Sequence, residues 1–88
     1  MTVSQRLAEL GLELPEVVAP LAAYVPAKTS GSLVFTAGQL PFVAGALPAT
    51  GKVGDGHGLV PASDAKSYAR QCALNAIAAA GAAVGGVD

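Results

Sequence analysis

Apolar positions change their spacing three times along this 88-residue chain. In the first stretch Val3, Leu7 and Leu10 recur on one helical face. Ahead of them Thr2-x-x-Gln5 has capping-box form, in which side chains and backbone donors at a helix start satisfy one another. Gly11 stands where a C′ glycine ends a helix, and Leu12 is placed to fold back on Leu7. Pro15 and Pro20 bracket an extended connector, because a residue before proline avoids the α region. The pattern predicts a short amphipathic helix and linker over residues 1–19, a packing arm rather than a recognition helix.

The spacing then turns to that of strands. Tyr24 and Val25 open a first strand, and Ser30-Gly31-Ser32 is the punctuation before a second. Leu33-Val34-Phe35-Thr36 is β-branched and aromatic, the composition of a pleated, half-buried surface. Gly38 leaves room for a close approach to the backbone, and Pro41, with no N–H to donate, stops the ladder. From Phe42 to Leu59 the chain is loop-like, with Thr50-Gly51-Lys52-Val53-Gly54 predicted as a short third strand.

Helical spacing returns from Pro61 to Val84. Pro61 suits a position at or before the first turn, Ser63 is the candidate N-cap, and Asp64 complements the positive helix end. Ala65, Tyr68, Ala69, Cys72, Ala76, Ile77, Ala80 and Ala83 mark one broad apolar stripe whose small side chains let a helix lie close to a sheet. Gly81 weakens the last turns and Gly85-Gly86 ends them, leaving Val87 and Asp88 directed toward a further element. A hairpin and one helix predict an α+β domain, and only half of an ordinary one, over residues 20–88.

Composition sharpens this. Hydrophobic residues make up 52% and charged ones only 12%, with a mean hydropathy of +0.53. A freely exposed small domain carries about a quarter to a third charged residues on its surface. The surplus predicts apolar surface covered by another subunit or by further chain. A net charge of −1 and five scattered cations (Arg6, Lys28, Lys52, Lys66, Arg70) argue against a nucleic-acid footprint. A single cysteine rules out an internal disulfide and fits a reducing cytoplasm. The N-terminus has no apolar signal-peptide core, and the uncharged run from Gln71 to Val87 is too short and too rich in Ala and Gly to span a bilayer.

Few side chains offer chemistry. The glycine-rich loop lacks both phosphate-binding spacings, so Gly54-Asp55-Gly56-His57-Gly58 reads as a surface turn. His57 has no partner for a triad or a metal site, which predicts a solvated histidine. Cys72, on the apolar stripe, reads as a small inert hydrophobe. Asn75, polar in an apolar run, is predicted to cap a neighbouring loop through its amide. Tyr24 suits either the core or the rim of an intersubunit cleft, and the Gly38–Gln39 backbone is placed to present amides to a carboxylate there.

The pattern Pro20-x-x-x-Tyr24-Val25, Gly31-x-Leu33-Val34-Phe35-Thr36-Ala37-Gly38-Gln39-Leu40-Pro41, Gly51-Lys52-Val53-Gly54 and Ala69-Arg70-Gln71-Cys72-Ala73-Leu74-Asn75 resembles the Rid family, also called YjgF and labelled in older usage endoribonuclease L-PSP. Leu7-x-x-Leu10-Gly11-Leu12-x-Leu14-Pro15 is similar to its subgroup with an N-terminal extension. The resemblance implies a chorismate-mutase-like α+β fold, a cytoplasmic homotrimer with clefts between subunits, and no metal or organic cofactor. It implies hydrolysis of 2-imino and enamino acids to 2-oxo acids and ammonia, or else a non-catalytic trimer that binds small carboxylates or a protein partner. Tyr24 matches the family's pocket tyrosine and Gly38 its backbone position near the bound carboxylate, with Gln39 beside it. The Arg that grips the substrate and the Glu that places the water are expected beyond Asp88, so no catalytic residue is expected within residues 1–88. Ala37 departs from the Ser usual in active deaminases.

Overall fold

A computed structural model of the chain describes residues 1–17 and 25–88. Helix α1 spans Val3–Glu9, strands β1 and β2 span Ala27–Ser30 and Leu33–Thr36, and helix α2 spans Ala62–Val84. An antiparallel hairpin packed on one long helix is α+β, as the sequence predicts. Tyr24, Pro20 and the 19/20 boundary of the predicted linker lie outside the described residues.

α1 forms as its caps dictate. The Thr2 side chain accepts from the Gln5 amide at 3.2 Å, and Gln5 Oε1 accepts from the Thr2 amide at 2.9 Å, which closes the capping box. At the other end Gly11 has φ +70, Leu12 N–H donates to Leu7 O at 2.9 Å and Gly11 N–H to Ala8 O at 3.1 Å. That bond pair is a Schellman motif, and it accounts for the stop at a glycine. No residue of α1 is buried. The Asp88 carboxylate, 84 positions away, accepts from the Ser4 amide at 2.9 Å and so joins the two ends of the chain.

The hairpin pairs Ala27 with Thr36, Lys28 with Phe35, Thr29 with Val34 and Ser30 with Leu33. Gly31, at φ +60, is the first of its two loop residues, the position where a II′ turn takes glycine to match the strand twist. β1 begins at Ala27, and Val25, predicted as strand, lies outside it, because Pro26 has no N–H for the ladder. Cross-strand partners share a face. Ala27 and Val34 are half-buried on the side that packs against α2, while Leu33 and Phe35 on the opposite side are 61% and 58% exposed.

The predicted third strand is reduced to one parallel bridge between Val53 and Val60. Gly54 N–H donates to Val60 O at 2.9 Å and Val60 N–H to Lys52 O at 2.8 Å, so Lys52–Val60 folds back on itself instead of joining β2. With Gly54, Gly56 and Gly58 in that segment, local closure is cheaper than extended pairing with a distant strand. α2 starts two residues earlier than a Ser63 N-cap would place it: Pro61 is the N-cap, with no side-chain capping bond, and Ser63 lies inside the helix.

The buried face of α2 is rotated from the predicted stripe toward Leu74, Ala78, Ala79 and Gly81, whereas Ala69, Ile77 and Ala83 face solvent. Alanine on nearly every side of the helix gives little bias to any one face. Leu74 and the close fit at Gly81 then set its rotation. Gly81 lies under the C-terminal tail, where an added Cβ would stand 2.8 Å from Val87 Cγ1. Gly85 at φ +84 ends α2, and Gly86 N–H donates to Gly81 O at 2.7 Å, turning Val87 back onto the helix.

Candidate functional site at the hairpin exit

The segment leaving β2 carries Gly38 and Gln39, and every bond that shapes it can be traced to a residue type. Ala37 N–H donates to Pro26 O at 2.9 Å, one ladder step past the strand. Proline cannot return that bond, which leaves the Ala37 carbonyl without a ladder donor. The Gln39 side chain fills the gap, its Nε2 donating to Ala37 O at 3.1 Å. Gln39 is therefore half-buried and turned back on its own strand, and Gly38 is exposed between the two.

Two residues on, Phe42 N–H donates to Leu40 O at 2.8 Å. An i to i+2 bond is a γ-turn, and Pro41 at its centre has a ring-fixed φ suited to the inverse form. α2 then holds this turn. Asn75 Nδ2 donates to Leu40 O at 2.9 Å and to Phe42 O at 3.2 Å, while Asn75 Oδ1 accepts from Gln71 Nε2 at 3.0 Å. The loop-capping role predicted for Asn75 is met. The sequence signal for Gln71 is its i, i+4 spacing to Asn75, the two polar residues of the uncharged stretch that follows Arg70.

Beyond the turn, Val43 and Ala46 exchange backbone bonds of 3.0 and 3.1 Å around Ala44 at φ +52 and Gly45 at φ +82. Leu40 and Val43 are 52% and 53% exposed. No charged residue occurs from Thr29 to Gly51. This surface can offer backbone amides and apolar contact to a ligand, but no ionisable acid or base of its own.

The other candidates stay apart from one another in role. His57 is exposed in the glycine-rich loop, and Cys72 is a half-buried free thiol on α2. Among the described residues no group of three His, Cys, Asp or Glu side chains could hold a metal ion. No helix among them is long and apolar enough to cross a membrane.

The family model described as "YjgF/chorismate mutase-like, putative endoribonuclease" matches residues 4–88. The chain belongs to the YjgF family. No curated protein matches it. Among solved structures it is similar to a putative endoribonuclease from Shewanella oneidensis MR-1, with 37% identity and a TM-score of 0.85 over 99% of this chain and 56% of that one. It is also similar to a protein of unknown function from Agrobacterium tumefaciens, with 37% identity and a TM-score of 0.76 over 98% of this chain and 50% of that one. The chain spans about half the length of these structures. Hairpin, loop and long helix are thus the YjgF arrangement.

Proposed function

We propose that the hairpin exit forms one wall of a carboxylate-binding cleft, and that the protein hydrolyses 2-imino and enamino acids. In that reaction water adds to the imine carbon, the C–N bond breaks, and ammonium leaves a 2-oxo acid. The observation that carries the reading is the exposed Gly38, held open between two self-satisfied neighbours within a YjgF-family chain. A carboxylate reaching the backbone there meets amide donors without a side chain in the way. Tyr24, which matches the family's pocket tyrosine, is the phenolic contact in this reading. The acid–base groups come from outside the charge-free segment.

Self-association supplies the second wall. A compact monomer of 8.6 kDa exposes roughly 4,700 Å², whereas this chain exposes 6252 Å². The excess, about 1,550 Å² on one chain, is roughly twice the ~800 Å² that each partner buries in a standard interface, room for contacts with more than one neighbour. Leu33 and Phe35 project from the face opposite α2, and each strand of a two-stranded sheet has one unpaired edge. Sedimentation should show oligomers, and Phe35→Lys should shift them toward monomer. A stable wild-type monomer would contradict the intersubunit cleft.

A second reading, binding without turnover, is favoured by Ala37, whose methyl stands where active deaminases usually carry a serine hydroxyl. One such lost hydrogen bond is worth about 1 kcal/mol. The two readings part in a coupled assay: an amino-acid oxidase releases 2-imino acids, and the purified protein is expected to speed their hydrolysis. Rates equal to buffer refute the hydrolase. If 2-oxobutanoate still binds under those conditions, the binder stands. RNA cleavage has little support, since His57 is the sole histidine and the five cations are dispersed along the chain.

A further inference from the structure

The Asn75 amide at the hairpin exit has both of its N–H donors committed, and its oxygen is tied as an acceptor. Its two N–H bonds go to the carbonyls that flank Pro41, at 2.9 and 3.2 Å, and its oxygen takes the Gln71 N–H at 3.0 Å. The polarity follows from chemistry: Leu40 O and Phe42 O are acceptors only, so nitrogen must face them. Gln71, one helical turn earlier, donates to the oxygen and opposes an amide flip. α2 thereby grips the γ-turn just past Gly38 and Gln39, on a helix whose next turn is anchored by buried Leu74 and Ala78.

We propose that Asn75, oriented by Gln71, is a positioning residue that fixes the backbone of the Gly38–Phe42 exit for ligand binding. The inference rests on the reading of Gly38–Gln39 as the ligand site, and it adds the device that holds that site in place. Both ends of the exit are fixed. Ala37 is tied to Pro26 at the strand end, and Leu40 and Phe42 are tied to α2, so Gly38 and Gln39 span a short bridge between two anchors. Releasing the α2 anchor lengthens the free segment and spreads the amides a carboxylate would need in register.

Two isosteric variants test polarity rather than size. Asn75→Asp keeps the shape but replaces both donors by acceptors that repel the two carbonyls. Gln71→Glu removes the donor that opposes the flip and leaves a carboxylate that attracts the Asn75 N–H bonds away from the turn. In the intact protein, amide hydrogen exchange at Phe42, whose N–H is bonded to Leu40 O within the exit, should quicken by about three- to tenfold in either variant, the effect of losing one net hydrogen bond. Leu33 and Ala37, in the hairpin ladder, should not change. Gln71→Glu should add nothing in an Asn75→Ala background, because its effect passes through Asn75.

Titration with 2-oxobutanoate gives the second readout, a similar fold-loss of affinity in both variants. Unchanged exchange at Phe42 in both variants overturns the proposal whatever the ligand does. Equal quickening at Leu33 and Ala37 also overturns it, as that is general loosening. Quickened exchange confined to the exit, with no binding of 2-oxobutanoate to the parent protein, upholds the positioning role and refutes the ligand reading instead.

Discussion

Substituting Gly38 separates the stability of the exit from its proposed use. No described atom outside its chain neighbours lies within 4 Å of a Cβ built at Gly38, and its φ is not in the left-handed region. Gly38→Ala therefore introduces neither clash nor backbone strain into the folded chain. The substitution restricts the unfolded chain, which is worth about 0.4–1 kcal/mol in favour of folding. Urea unfolding should show the midpoint unchanged or raised, with an unaltered slope. Gly38→Val fills more of the same open space with a branched side chain. If a carboxylate approaches the backbone here, Gly38→Val should weaken 2-oxobutanoate binding at least tenfold, about 1.4 kcal/mol, in a protein no less stable than the parent. Calorimetric titration gives the affinity. Wild-type affinity in a folded Gly38→Val protein would refute the approach to Gly38. A large drop in stability in Gly38→Ala would refute the open geometry from which the argument starts.

Three other perturbations test the scaffold. Gly81→Ala gains about 0.8–1 kcal/mol of helix propensity but sets a Cβ 2.8 Å from Val87 Cγ1, an overpacking that costs about 1–3 kcal/mol. It should be neutral to destabilising in chemical denaturation, and adding Val87→Ala should restore the propensity gain. Ala44 holds φ +52 in the Val43–Ala46 turn, a conformation that costs an L-residue roughly 1–2 kcal/mol; Ala44→Asn should raise thermal stability, since asparagine tolerates it. The Ser4 amide, and after it the Ser4 hydroxyl, hold the Asp88 carboxyl below its usual range. A depressed carboxyl stabilises above its unfolded value, near 4, and its contribution is lost as pH falls through the lower folded value. Protection of the Ser4 amide against exchange should follow that acid-side titration, and Asp88→Asn should abolish the pH dependence.

What could be read from the sequence and what could not divides on how local each signal is. The Thr2–Gln5 capping box, the Gly11 stop, the Gly31 turn and the Gly85 end of α2 each fix backbone angles or satisfy donors within a few residues, and all four stand where the residue types placed them. The rotation of α2 is not local. Its stripe of alanines offers nearly equal burial on several sides, and the choice falls to Leu74 and to the tail crossing Gly81. The missing third strand has the same origin, because Val53 had two partners available and the nearer, Val60, closes the smaller loop. The exit lies between these cases. Its glycine and proline were legible, but its shape depends on a proline just before the facing strand and on Asn75 of α2, 33 to 35 residues on, with Gln71 behind it. A motif of adjacent residues can therefore mark the family while the groups that hold the site in place lie elsewhere in the chain. For this hairpin, resemblance identifies where a ligand is to be sought, and Pro26, Gln71 and Asn75 determine whether the backbone there is held ready for it.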